Sequence, residues 1–514
     1  MSTTKAHYLV LTFPAWGHCR PETVFSLRLI QLHPHLSITL LISEWYRDLA
    51  TAEIAQAHLT PEEASRLRVV FHPLGRLPPC DPNGGKGDSE NFRIFADWVV
   101  DYAAKSIEQT VNGDAIYAKE EDGLIPIPPT VFLGDAIALW RIQPRLEAIF
   151  NQAGLKPPVL ARLNPLSEAY IAAYSAADGS PLPTVLEAYQ QARTAGSTDD
   201  EAFQKTFVAS EDKYIEVLGL SPMSVIQSHM TSLTSFAKQF NTVEALSITF
   251  WPSYESIHGV PMKHQTKFKG VRAGPQLFDG NPTVTNGTSS AASDPTLAFM
   301  DTALARHGPR SVIYVCFGTL FWPPTEAQTA LFLDALEESG LSVVLVKGHK
   351  ASSKIAGNIQ TWYQKMGSRA HVTDWVPQLR VLQHEAINVF VSHGGSGSTM
   401  EAMITGVPMV LLPGAWDQPF IASELCKAGI ALDIAQFGHG HNIGKKTARG
   451  VLVTGREKDM KAELREIFGN LSSDKFDKLR QTAREIQQRV LRDLESGESF
   501  QMMQKLGHLA DQAS

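Results

Sequence analysis

The 514-residue chain has only four cysteines, no excess of basic residues and no long apolar run. Cys19, Cys80, Cys316 and Cys426 are scattered and form no CxxC pair, which speaks against a disulfide framework or a thiolate zinc centre. Cys316 sits in an apolar run and reads as a small core residue. Lys and Arg number 46 against 53 Asp and Glu, a net charge of −7 with no basic patch, so nucleic acid is not an expected partner. No window reaches the ~18 apolar residues of a membrane span. The run before Pro14 is too short for a signal peptide. The expectation is a cytoplasmic protein without a transmembrane anchor, in which the glycosylation patterns at Asn286 and Asn470 stay silent. The 43% of hydrophobic residues exclude a disordered chain, and the length allows two to four domains at roughly 150 residues each.

Short apolar runs alternate with helical spacing. Tyr8–Phe13, Ser37–Ile42, Arg68–Phe71, Thr130–Leu133 and Leu246–Trp251 read as strands in the first half, with a helix over Thr23–Leu32. From Leu160 to Ser235 the pattern reads as helical pieces. The alternation starts afresh with Ser311–Phe317, Ser342–Val346, Asn388–Ser392 and Val407–Leu412. Between the halves, the Gly/Asn/Thr/Ser-rich stretch after Pro275 is a linker. Phe476, Leu479, Ala483, Ile486, Val490 and Leu494 recur at helical spacing, and Phe500, Met503 and Leu506 mark a second short amphipathic helix after Gly497. Runs of this kind predict parallel strands buried on both faces and an α/β chain of two doubly wound domains. The expected division is 1–275, a linker over 276–308, a second domain over 309–495 and a terminal helix over 496–514.

Chemistry-bearing residues concentrate in Trp375–Gln418. The strand Asn388–Ser392 runs into His393, then Gly394, Gly395, Ser396, Gly397 and Ser398, then a helix over Thr399–Thr405. A strand, a Gly-rich turn and a helix N-terminus present free amides and a positive dipole end to an anion such as a diphosphate. Glu401 in that helix could accept from ribose hydroxyls or simply complement the helix dipole. Trp375, held extended by Pro377, could stack on a base or sit in a core. Asp417 and Gln418 follow a strand and could hold sugar hydroxyls or make a turn.

Taken together, the type and spacing of these residues closely resemble the donor box of UDP-dependent glycosyltransferases, especially the plant secondary-product type. The resemblance extends to the PxxGHxxP start, to SVIYVCFGT and to the final GESFQMMQKL. It implies the GT-B architecture: two facing Rossmann-like domains with a C-terminal helix crossing back to the first. It further implies that Trp375 stacks on uracil, that Gln378 and Glu401 contact the ribose, and that His393 and Ser398 bind the diphosphate. Asp417 and Gln418 would hold the sugar, with Gly395 and Gly397 in the turn and Thr319 near the phosphates. Where the plant box reads HCGWNS, this chain reads HGGSGS, so one Asn contact to the sugar is missing. The terminal Gln favours glucose within that family.

Sugar transfer to an alcohol needs a general base. His18, in PAWGHCRP, is expected just before the first helix at a strand's carboxyl end, and Asp135 ends the run TVFLGD. Their ordinary explanations are a turn histidine and a helix cap. By resemblance they are the family's catalytic histidine and its carboxylate partner. The function implied is inverting transfer of a sugar, glucose by preference, from a UDP-sugar to a hydroxyl of a small lipophilic acceptor. UDP-sugar is then a co-substrate rather than a cofactor. No DxD motif stands out near a strand end, so no metal is expected, and a monomer suits the chain. Phe92, Phe95 and Trp98 could line the acceptor site or form a core helix. Two other readings are a nicotinamide-dependent oxidoreductase, disfavoured because the third glycine of its fingerprint is missing, and an inactive nucleotide-sugar-binding protein.

Overall fold

A computed structural model of the chain describes residues 6–72, 88–112, 127–165, 181–210, 214–215, 223–224, 245–260, 270–277, 294–318, 324–347, 353–414, 417–438, 443–447 and 449–513. Two parallel sheets dominate. The first joins β1 (Ala6–Leu11), β2 (Leu36–Ser43), β3 (Leu67–His72), β4 (Val131–Asp135), β5 (Val159–Asn164), β8 (Leu246–Thr249) and β9 (Gly270–Arg272), in the order β3-β2-β1-β4-β5-β8-β9. A separate antiparallel pair, β6 (Tyr214–Ile215) and β7 (Met223–Ser224), stands apart from it. The second sheet joins β10 (Val312–Cys316), β11 (Ser342–Val346), β12 (Ala370–Thr373), β13 (Ile387–Ser392), β14 (Met409–Leu411) and β15 (Ala431–Asp433), in the order β12-β11-β10-β13-β14-β15. This is the expected pair of doubly wound domains. The central strands are continuous apolar runs because helices cover both faces of each sheet and leave no polar side.

In each sheet the strand order reverses once, and the reversal leaves a crevice beyond the strand carboxyl ends. In the first lobe it falls between β1 and β4, which pair with Tyr8 opposite Val131. In the second it falls between β10 and β13, which pair with Cys316 opposite Ser392. The residues that leave these four strands therefore meet at two crevices.

The helices that matter below are α1 (Trp16–Leu32), α2 (Arg47–Gln56), α3 (Asp88–Asn112), α4 (Tyr254–His258), α5 (Pro295–His307), α6 (Gln378–Leu382), α7 (Ser396–Thr405), α8 (Gln418–Ala428), α9 (Asp474–Ser496) and α10 (Glu498–Leu506). The amphipathic stripe of α9 buries Phe476, Leu479, Ala483, Ile486 and Val490. α9 packs on α7 of the second lobe and on α4 of the first, and α10 packs on α1 and β9. One apolar cluster runs from Tyr8 and Phe25 through Met400 and Met403 to Ile486 and Met503, so the lobes share a core.

Several elements depart from the sequence expectation. α1 begins at Trp16 rather than Thr23, so His18 lies inside the first helical turn. α7 begins at Ser396 rather than Thr399. Val159–Asn164, read as the start of a helical region, is an interior strand whose pattern is broken by the buried Arg162. The short strands β9, β12 and β15 carried no signal of their own. Within 276–308, Gln276 and Leu277 are buried and Arg28 donates to the carbonyls of Pro275 and Leu277, while 295–307 is helix α5; 278–293 lie outside the described residues. Phe92, Phe95 and Trp98 fall on α3, with side chains outside the described residues.

Candidate active site

The first crevice holds the histidine pair. Asp135 is the last residue of β4 and is fully buried; His18 is 7% exposed. His18 Nδ1 lies 2.8 Å from Asp135 Oδ2, and Asp135 Oδ1 accepts from the Ile137 amide at 2.7 Å. A carboxylate accepts only, so Nδ1 carries the proton and Nε2 of the neutral ring carries the lone pair. The Phe13 ring lies against the imidazole, with centroids 5.6 Å apart.

Glu22 follows one helical turn after His18 and is fully buried. Its Oε2 accepts from the Phe13 amide at 3.3 Å. Its Oε1 meets no donor, and its carboxyl group lies beside that of Asp135. Two carboxyls in contact inside a protein cannot both ionise. Burial, then the Asp135 charge, push the Glu22 pKa well above the usual carboxylate range. The acid keeps its proton, and its O–H donates to Asp135.

The second crevice is built around His393, which leaves β13. Gly394 takes a left-handed φ of 78°, and Gly395 caps α7. The His393 ring is wedged between two glycines. A Cβ on Gly395 would lie 2.4 Å from His393 Nε2, and one on Gly318 would lie 2.9 Å from the same atom. Nothing lies within 4 Å of a Cβ on Gly397, so the first turn of α7 is open there. Burial lowers the His393 pKa to about 4, leaving a neutral ring. The Ser396 and Thr399 hydroxyls are buried without partners at the same helix end. Free amides, the helix dipole and two unused hydroxyls fit an anion.

Glu401, in the second turn of α7, is buried and held from two sides. Arg20 of α1 donates to Oε1, and Gln378 Nε2 donates to Oε2. Gln378 also donates to Ser398 Oγ at 3.1 Å and accepts from the Tyr314 hydroxyl at 2.8 Å. Gln378 thus orients Glu401 and Ser398. Arg20 donates a further bond to Glu53 of α2 at 3.0 Å. Burial pulls the Arg20 pKa down, but the Glu401 and Glu53 carboxylates outweigh it and raise it, so Arg20 stays a cation.

Trp375, in the loop after β12, is 62% exposed, which rules out a core role. Asp417 caps α8 and is buried with Gln418, whose Oε1 accepts from the Gly414 amide at 2.8 Å. Thr319 lies outside the described residues. The expected residues therefore form two groups, His18 with Asp135, and Gln378, Ser398 and Glu401 with the His393 turn. Arg20, two residues after His18 on α1, bonds to Glu401 of the second group.

Arg20, Glu22 and Tyr314 escaped sequence reasoning. A helix starting at Trp16 stacks Glu22 under His18 at i, i+4, but the apolar spacing marked a helix only from Thr23. Tyr314 looked like one more apolar strand residue.

Residues 272–439 match the family described as UDP-glucoronosyl and UDP-glucosyl transferase. Among curated proteins, the UDP-glycosyltransferase eriJ of Hericium erinaceus is 26% identical over 220 residues, 42% of this chain and 43% of that protein. The myricetin 3-O-rhamnosyltransferase UGT77B2 of Crocosmia x crocosmiiflora is 32% identical over 167 residues, 31% of this chain and 34% of that protein. The chain thus spans less than half the length of these relatives. A UDP-glucosyltransferase from Polygonum tinctorium, solved with 3,4-dichloroaniline, superposes with a TM-score of 0.65 at 16% identity, covering 98% of both chains. A UDP-glucose: anthocyanidin 3-O-glucosyltransferase in complex with UDP gives 0.66 at 18% identity over 100% of both. That likeness is one of fold. Residues 272–439 are thus similar to the UDP-glycosyltransferase family, and the chain over its whole length shares the GT-B fold of these solved enzymes.

Proposed function

We propose that this protein transfers a sugar from a UDP-sugar, UDP-glucose by preference, to a hydroxyl of a small lipophilic natural-product acceptor, with inversion at the anomeric carbon. The observation that carries the reading is the Arg20–Glu401 ion pair. It joins the helix turn bearing His18 to the helix that would receive the nucleotide.

His18 Nε2 takes the acceptor's hydroxyl proton as the oxygen attacks the anomeric carbon. Asp135 stabilises the imidazolium and keeps the ring in the required tautomer. The bond to the UDP oxygen breaks on the opposite face. The leaving diphosphate meets the open amides of α7, whose dipole favours the new charge. Trp375 offers its exposed face to uracil, and Glu401 retains lone pairs for ribose hydroxyls beside those engaged by Arg20 and Gln378. UDP-sugar acts as co-substrate, and the reading includes no metal.

A panel of UDP-sugars, each incubated with mixed hydrophobic alcohols and followed by mass spectrometry, tests the reaction: an added sugar mass with one donor is expected, and none with any donor overturns it. His18→Ala is expected to lower kcat by about 10²–10⁴ while calorimetry still shows UDP binding. Unchanged turnover would remove His18 from the mechanism.

A further inference from the structure

Far from both crevices, three histidines converge where the chain's end returns to the first lobe. His33 caps the C-terminus of α1, His35 follows two residues on, and His508 follows α10. Their candidate ligand atoms all lie within 4.8 Å of one another. The ring centroids are 5.7 Å apart for His33 and His35, 5.6 Å for His33 and His508, and 4.8 Å for His35 and His508. The cluster runs from buried His33 to exposed His508.

The tautomer of each ring follows from its outer partner. His33 Nε2 lies 3.0 Å from the Met503 carbonyl, His35 Nε2 lies 3.0 Å from the Gly507 carbonyl, and His508 Nδ1 lies 3.2 Å from Asp511 Oδ2. Carbonyls and carboxylates only accept, so these three nitrogens carry the protons. The other nitrogen of each ring, His33 Nδ1, His35 Nδ1 and His508 Nε2, is then left with a lone pair. Metal-bound histidines show this pattern: one nitrogen donates to a carbonyl or carboxylate, and the other ligates. Gly507 contributes by lacking a side chain, since a Cβ there would lie 2.3 Å from the His33 ring.

We propose that His33, His35 and His508 form a binding site for a zinc-class divalent transition metal that staples the C-terminus to the first lobe. Three imidazoles suit a tetrahedral ion with water as fourth ligand, and they do not suit Mg²⁺ or Ca²⁺, which prefer oxygen. Asp511 is the carboxylate behind His508. The role is structural. His35 and Gly507 are separated by 472 positions, and a metal clip closing so long a loop removes freedom chiefly from the unfolded chain.

The test uses the tag-free full-length protein, stripped with chelator and titrated with Zn²⁺ by calorimetry. One equivalent bound at micromolar affinity or tighter is expected, with a rise in Tm that Mg²⁺ does not reproduce. Co²⁺ should give the visible absorption bands of a tetrahedral site. Because the chain holds 17 histidines, the decisive comparison is His508→Ala, an exposed change expected to preserve the far-UV circular dichroism. It should weaken the Zn²⁺ equivalent at least tenfold and abolish the Tm rise, as should His35→Ala. No bound equivalent in the unsubstituted protein, or equal binding by both variants, overturns the proposal.

Discussion

Glu22 shows how much a single proton decides. As a carboxylate it would repel Asp135; as an acid it donates to Asp135 and leaves that charge for His18. Glu22→Gln keeps a donor of the same shape, so kcat and its pH profile should stay within a few-fold of the parent. Glu22→Ala removes the donor and opens a cavity, costing about 1–3 kcal/mol, read as a lower urea midpoint with a weakened catalytic pair. Equal damage by both substitutions would mean that Glu22 is ionised. His18, Asp135 and Glu401 were singled out because the family resemblance was added to their strand-end and Gly-turn setting, which alone also fits a turn histidine, a helix cap and a helix-dipole partner. Glu22 and Arg20 were not, because their meaning depends on Asp135 and Glu401, which lie far away in the chain.

At the scale of the element, the strand–turn–helix unit of β13 and α7 separates two glycines that look alike in sequence. A methyl group on Gly395 collides with His393 Nε2, whereas one on Gly397 meets open space. Gly395→Ala is therefore expected to cost about 1–3 kcal/mol as overpacking and to weaken UDP binding together with stability. Gly397→Ala should leave the Tm unchanged and weaken UDP binding alone. Thermal unfolding beside calorimetric UDP titration distinguishes the two. A second junction joins α9 to α10, where buried Asp493 accepts from the Ser499 amide at 3.1 Å, the Ser499 hydroxyl at 2.6 Å and the Ser253 amide of the first lobe at 3.4 Å. Asp493→Ala strands three donors and should cost several kcal/mol at about 1–3 per buried unpaired group, measured by urea unfolding. The spacing of Phe476 through Val490 foretold α9, but not that its end would turn on Asp493.

Across the whole molecule, the lobes are tied by the shared apolar cluster, by Arg20 with Glu401 and by His258 with Glu424. The fold is also sensitive to acid. Burial holds His7, His72 and His393 at a pKa of about 4, against ~6.5 when unfolded. Between those values the unfolded chain binds more protons than the folded one. Stability therefore falls as pH drops through that window, by up to about 1.4 kcal/mol per pH unit for each histidine. Urea midpoints should be distinctly lower at pH 5 than at pH 7, and a flat profile would refute the burial of these rings. Among the described residues no helix is long and apolar enough to cross a membrane.

The sequence by itself determined the two α/β lobes, their central strands and the Gly-rich turn after β13. All of these follow from apolar periodicity and turn chemistry within a dozen neighbouring residues. Only the tertiary structure decided that α1 starts early enough to stack Glu22 beneath His18. It also decided that β5 is a strand despite Arg162, that Gln378 braces Glu401, and that His508 returns to His33 and His35. Each of these depends on which distant group stands opposite when the chain is packed, and local pattern carries no record of that partner.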